Sequence, residues 1–215
     1  MSGWSPTRAP PRPAELGLRL LLAGALVLGT LHALQRAIIE PLVPVFAAAV
    51  RVLDPDFTIL SAGVASDGPV QSVVIRANLA LPARFAGRTV YPIGWFPGEP
   101  EGGIEVKLSL GGLLQYSGLL LIIALAWPAR TAAEFALRLL LCLPCLALLL
   151  LAEAPFTVLG ELWSAIRDYA APGSFCGWVV WSRFLMGGGG LLIAGSCGLS
   201  VVAASRRIVR TAARP

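Results

Sequence analysis

The sequence predicts an α-helical membrane protein: four transmembrane helices, with a small extracytoplasmic antiparallel β module between the first and the second. Three observations predict it. Of the 215 residues 56% are hydrophobic and only 13% charged, against about 25% charged in an ordinary soluble domain. The apolar residues are gathered into runs of the roughly 20 residues needed to cross the hydrocarbon core as a helix. The arginines, which dominate a formal charge of +5, cluster just outside those runs, where they set orientation. That placement excludes nucleic acid and makes the lipid bilayer the first partner.

Residues 1–15 are Pro-rich with Arg8 and Arg12, and are expected to be a disordered cytoplasmic tail. The first span, 16–35, is longer than the apolar core of a cleavable signal, and Leu31-His32-Ala33 puts a leucine where cleavage wants a small residue. It reads as an uncleaved anchor. The other spans are expected at 110–127, 135–153 and 184–204. Basic excess falls on the N-terminal segment, on the link between the second and third spans, where Arg130 and Arg138 (just inside the third) stand against Glu134, and on the 205–215 tail with Arg206, Arg207, Arg210 and Arg214, whereas 36–109 and 154–183 are balanced. Both termini are therefore expected in the cytoplasm of a bacterial inner membrane, with 36–109 and the 154–183 loop outside.

Within 36–109, Ile39, Leu42, Val43, Phe46, Val50 and Leu53 recur at helical spacing, which predicts a helix on the membrane surface entered through Pro41 and Pro44. Strand patterns follow at Phe57–Ala65, Val70–Leu81, Thr89–Phe96 and Ile104–Leu110. Turn signals at Asp67-Gly68-Pro69, Ala86-Gly87 and Pro97–Gly103 separate them. A sheet of three or four strands is expected.

Candidate chemistry is sparse. Cys142-Leu143-Pro144-Cys145 has the Cys-x-Pro-Cys form of thiol oxidoreductases, but inside a span the low dielectric disfavours a thiolate. Cys142, Cys145 and Cys197 read as packing residues. Cys176, expected outside, is the candidate for an intermolecular thiol. His32, the sole histidine, is expected near the outer end of the first span. No cluster offers the ligands of a metal site, and no catalytic residue, metal or cofactor is assigned. Glu153 and Arg183 are expected near the outer surface, where each sits at headgroup level or joins a pairing that also draws on Glu161 or Asp168. Glu134 and Arg138, spaced i, i+4, fit a helix-stabilising pair. Gly190, Ala194 and Gly198 form a small-residue row, and Ser196, Ser200 and Ala204 a second, so the fourth span is the expected seat of a helix contact. Trp127 is expected at the inner interface, and Trp163, Tyr169, Trp178 and Trp181 at the outer one. Trp95 is expected in the module's core or on an exposed binding edge.

An anchor, a Pro-bearing helix entry (Glu40-Pro41-Leu42-Val43-Pro44), strands around Phe57–Ala80 and three further spans resemble the small membrane proteins encoded with bacterial exosortases. The resemblance implies a noncatalytic associate of a protein-sorting enzyme, because no cysteine precedes the second span. It implies a multi-span membrane protein as partner and carries over no site residue. Two alternatives stay open. One is an enzyme, either a thiol oxidoreductase using Cys142, Cys145 and Cys176 or an outer-face lipid-modifying enzyme using His32 and Glu153. The other is a small subunit of a transport or respiratory complex.

Overall fold

The computed structural model describes residues 13–67, 70–95 and 102–212. The tail before Pro13, the turn at Gly68-Pro69, residues 96–101 and Arg214 lie outside the described residues. The chain runs α1 (Pro13–Ile39), a 3-10 turn (Glu40–Leu42), α2 (Val43–Leu53), β1 (Phe57–Asp67), β2 (Val70–Leu79), β3 (Ala83–Phe85), β4 (Arg88–Val90), β5 (Ile104–Ser109), α3 (Leu110–Ala126), α4 (Ala132–Ala170), α5 (Gly177–Phe184), a π turn (Leu185–Gly189) and α6 (Gly190–Ala212).

Three helical stretches are long and apolar enough to cross a membrane: Pro13–Leu53, Ala132–Ala170 and Gly177–Ala212. The helix expected as a second span, α3, has 17 residues and a length of about 26 Å. It is apolar but shorter than the other three, so length alone marks three spans and not four. α1 begins at Pro13, inside the tail expected to be disordered, and continues past residue 35 to Ile39. Arg19, within the first apolar run, pairs with Glu15 one turn back at 2.7 Å. Ala23, Val27 and Ile39 are the buried residues of α1, and Leu18, Leu21, Leu22 and Leu26 stand exposed, a surface suited to lipid.

Pro41 breaks the helix into the 3-10 turn and Pro44 occupies the first turn of α2, where a missing N–H costs nothing. The apolar stripe of α2 does not lie on a membrane surface. Val43, Phe46, Ala47 and Val50 are buried in the same core as Phe57, Ile59, Val73, Ile75 and Leu159. The sheet packs on this helix, one of the two supports, helix or membrane, that so small a sheet needs for stability.

Three strands pair antiparallel in the order β1-β2-β5, with Val73 opposite Leu108, Ile75 opposite Val106 and Ala77 opposite Ile104. The strand expected at Thr89–Phe96 does not join them. Arg88–Val90 instead pairs with Ala83–Phe85 in a separate hairpin, through Ala86 and Gly87, whose φ values are +48° and +81°. Beyond Val90, Pro92 has no N–H to donate to a ladder. The Asn78 side chain takes the ladder's place: Ile93 donates its backbone N–H to Asn78 Oδ1 at 3.0 Å, and Asn78 Nδ2 donates to the Ile93 carbonyl at 2.8 Å.

The third span was expected to end at Glu153 and give way to a loop over 154–183. The helix instead continues to Ala170, α5 begins at Gly177, and the connection shrinks to residues 171–176. Past Glu153 the helix buries Val158, Leu159, Leu162, Trp163 and Ile166 in the core it shares with α2, α5 and the sheet, and this burial sustains a helix whose composition has become polar. The fourth helical stretch likewise starts at Gly177, seven residues before the expected 184, and ends at Ala212. A second buried cluster joins Tyr116, Leu120 and Ala124 of α3 to Cys142 and Leu149 of α4 and to Ala194 and Val201 of α6.

Candidate functional site

The extension of α4 carries the sheet. The Trp163 indole N–H donates to Asp54 Oδ2 at 2.6 Å, while Asp54 Oδ1 accepts the backbone N–H of Asp56 at 3.1 Å. The indole meets Phe57 edge-on, with centroids 5.4 Å apart, and stacks on Phe85 at 5.5 Å. Arg88 donates to the Ala170 carbonyl at 2.7 Å, binding the hairpin to the last turn of the helix. Trp163, expected at a membrane interface, is therefore a buried core residue. Its neighbours in sequence gave no sign of this, since its partners Asp54, Phe57 and Phe85 are remote along the chain.

Between this extension and the sheet opens a cleft of about 600 Å3, lined on the sheet side by Asn78, Thr89, Tyr91, Pro92 and Ile93 and on the helix side by Ala165, Ile166 and Tyr169. No charged residue lines it. Tyr91 and Ile93 are each 46% exposed and Tyr169 85%, so the mouth presents aromatic and aliphatic surface. Trp95, next along the chain, is also 46% exposed and lies on the surface, not in the module's core. Asn78, which the sequence reading passed over, shapes this wall by pinning Ile93.

At the opposite end of the bundle a buried ion network closes the turn between α3 and α4. Arg138, fully buried, donates to Glu134 at 2.7 Å and to the carbonyls of Ala124 and Trp127. Arg206 reaches across from α6 to Glu134 at 3.3 Å and to the Pro128 carbonyl at 2.9 Å, and its guanidinium sits 5.9 Å over the Trp127 ring. The expected i, i+4 pair is thus the centre of a three-helix joint.

The glycine row on α6 is used inside the bundle. A Cβ on Gly190 would overlap the Tyr116 ring, and one on Gly198 would lie 3.1 Å from Ile123 Cβ; Ala194 between them is fully buried. The second row, Ser196, Ser200 and Ala204, faces outward. Glu153 is 8% exposed and its Oε2 has no hydrogen-bond partner, so it lies inside the protein. Arg183 is exposed, and among the described residues no ion pair joins it to Glu153, Glu161 or Asp168.

The cysteines are scattered. Cys142 is buried, Cys145 and Cys197 half-buried, and all three belong to the bundle, whereas Cys176 is buried in the sheet-end core; all four are free thiols. Cys176 therefore does not present its thiol on the surface. His32 is exposed and lines a groove of about 330 Å3 between α1 and α3 together with Gln35 and Gln115. Among the described residues no three of His, Cys, Asp and Glu come together. No protein-family model, curated protein or solved structure matches this chain.

Proposed function

We propose that this chain is a noncatalytic accessory subunit of a bacterial inner-membrane complex, crossing the membrane four times with both termini in the cytoplasm and holding a membrane-protein partner against its sheet. In this reading α3 is the second, short span. It leaves β5 at Ser109, whose hydroxyl caps it by accepting the Gly112 N–H at 3.1 Å, and it ends at Trp127, a residue type favoured at interfaces. The setting is an exosortase-type sorting system, the one to which the sequence resemblance directs.

The observation that carries the proposal is the union of the sheet with the extension of α4 through Trp163, Asp54, Phe85 and Arg88. It builds a fixed platform with an uncharged aromatic-mouthed cleft, which suits recognition of a polypeptide better than turnover of a small polar substrate. The separation of Cys176 from Cys142 and Cys145 into different cores weighs against a thiol-relay enzyme. The exposed row Ser196, Ser200 and Ala204 offers a close approach for a partner helix. Purification of the tagged chain from native membranes in mild detergent tests the proposal. A stoichiometric multi-span protein travelling with it supports the reading, and a lone monomer contradicts it.

A further inference from the structure

The sheet has two edges, β1 and β5, and they differ in how they are protected. β5 carries Glu105 and Lys107 on its exposed face, and charges of this kind keep other strands away. The start of β1 is also covered. Arg51 of α2 donates to the Ile59 carbonyl at 3.4 Å, and the register shifts between Ile59 and Ser61, a bulge of the sort that interrupts pairing. From Ser61 to Ser66 the edge has no such device. The segment Ser61-Ala62-Gly63-Val64-Ala65-Ser66 holds no charge and no proline. Val64 is half-buried and the others are exposed. Among the described residues, no side chain and no backbone group outside the sheet bonds to this segment.

The register fixes the direction of its backbone groups. Asp67 pairs with Val70 across two intervening residues, and such a closing pair exchanges both of its hydrogen bonds. Alternation from there aims the N–H and C=O groups of Ser61, Gly63 and Ala65 at β2 and those of Ala62, Val64 and Ser66 outward. Each outward residue therefore presents one donor and one acceptor at strand spacing, and among the described residues nothing meets them.

We propose that the β1 edge from Ser61 to Ser66 is a docking site for an extended, uncharged segment of another polypeptide, which joins the sheet as an added strand. Donors and acceptors alternating at this spacing are matched by a second extended backbone. The small side chains on both faces of the segment leave room for β-branched residues in the strand that arrives. A second copy of this chain does not fit. Antiparallel pairing of two β1 edges needs a two-fold axis perpendicular to the sheet. The sheet packs its buried face on α4, which crosses the membrane in the proposed topology, so that axis would lie in the membrane plane and set the two copies upside down to one another. The docking edge rests on the partner-holding function and adds a contact away from the cleft. The cleft opens beside Asn78 and Leu79, whereas Ser61–Ser66 pair with Gln71–Arg76 in the other half of β2.

The probe is a capped peptide of alternating threonine and valine, about six residues long, a usual strand length, offered to the full chain in nanodiscs. Docking is expected to slow backbone hydrogen exchange at Ala62, Val64 and Ser66 by at least about tenfold and to leave Ser61, Gly63 and Ala65, already bonded to β2, unchanged. The same peptide methylated on every backbone nitrogen has no donor to offer and is expected to bind at least about tenfold more weakly. Ala62→Pro with Ser66→Pro removes two outward donors at positions where an edge strand tolerates proline, and the unmethylated peptide is expected to bind this variant at least about tenfold more weakly as well. A peptide that does not bind, that binds without slowing the outward amides, or that binds equally well when methylated would overturn the proposal. Should the proline variant fail to fold, the methylated peptide and the exchange pattern decide. These results leave the partner-holding function standing, and that function falls separately if the chain purifies alone while the peptide still docks on β1.

Discussion

The Trp163 indole and the Asp54 carboxylate, 109 residues apart in the chain, share a buried 2.6 Å hydrogen bond that fixes the β sheet to the far half of α4. Trp163→Phe keeps an aromatic ring against Phe57 and Phe85 but removes the donor, and the deleted bond to a charged acceptor costs about 1.5–3 kcal/mol. The expected result is earlier thermal loss of the sheet, read as protease cleavage within residues 54–109 at a temperature where the wild type resists. A double-mutant cycle with Asp54→Ala should show coupling, because both substitutions delete the same bond.

Arg138 is fully buried and Glu134 nearly so. Removing one partner leaves a buried charge uncompensated and costs about 3–5 kcal/mol, whereas replacing both by apolar groups of similar volume is much less harmful. Arg138→Met is therefore expected to lower the melting temperature sharply, and Glu134→Leu with Arg138→Met to recover part of the loss. Arg206 sets a limit on that recovery, since the double variant also takes away its Glu134 partner.

Gly190 and Gly195 lie five residues apart on α6 and should respond in opposite directions. A Cβ at Gly190 meets the Tyr116 ring, but one at Gly195 meets nothing within 4 Å. Gly190→Ala is expected to destabilise the bundle by about 1–3 kcal/mol through overpacking. Gly195→Ala is expected to stabilise it by up to about 1 kcal/mol through helix propensity. Denaturation of both variants in the same detergent checks the pair.

Ala86 holds a φ of +48° in the β3–β4 turn, a region that costs a residue with a Cβ about 1–2 kcal/mol. Ala86→Gly is expected to recover up to about 1 kcal/mol and raise the sheet's resistance to proteolysis. Ala86→Val, β-branched, should lower it.

Strand positions were legible where alternation was strong, as at Val73, Ile75 and Leu79, all buried on one face. The pairing of Thr89 was not, because its partner strand is three residues long and follows Pro82. The extent of α4 was misread for a physical reason. Glu153, Pro155 and the charges beyond them mark the end of lipid-like composition, but a helix ends where its apolar face loses its cover. Val158, Leu162 and Ile166 repeat every four residues and are buried in the core shared with α2, α5 and the sheet. The same hydropathy logic gave no sign that Glu153 is buried, because burial of a single carboxyl depends on the helices around it. The glycine row on α6 was legible as a contact surface; its partner, α3 of the same chain, was not.

The partner-holding platform is tested most directly by photo-crosslinking in intact cells, with the reactive residue placed at Tyr169 in the cleft mouth or, as control, at the exposed Leu148 on the bundle. The expected result is one discrete adduct with a multi-span membrane protein from Tyr169, lost when Ile93→Asp puts a charge into the cleft, and no such adduct from Leu148. An absent adduct at Tyr169, or one that survives Ile93→Asp unchanged, would contradict the platform.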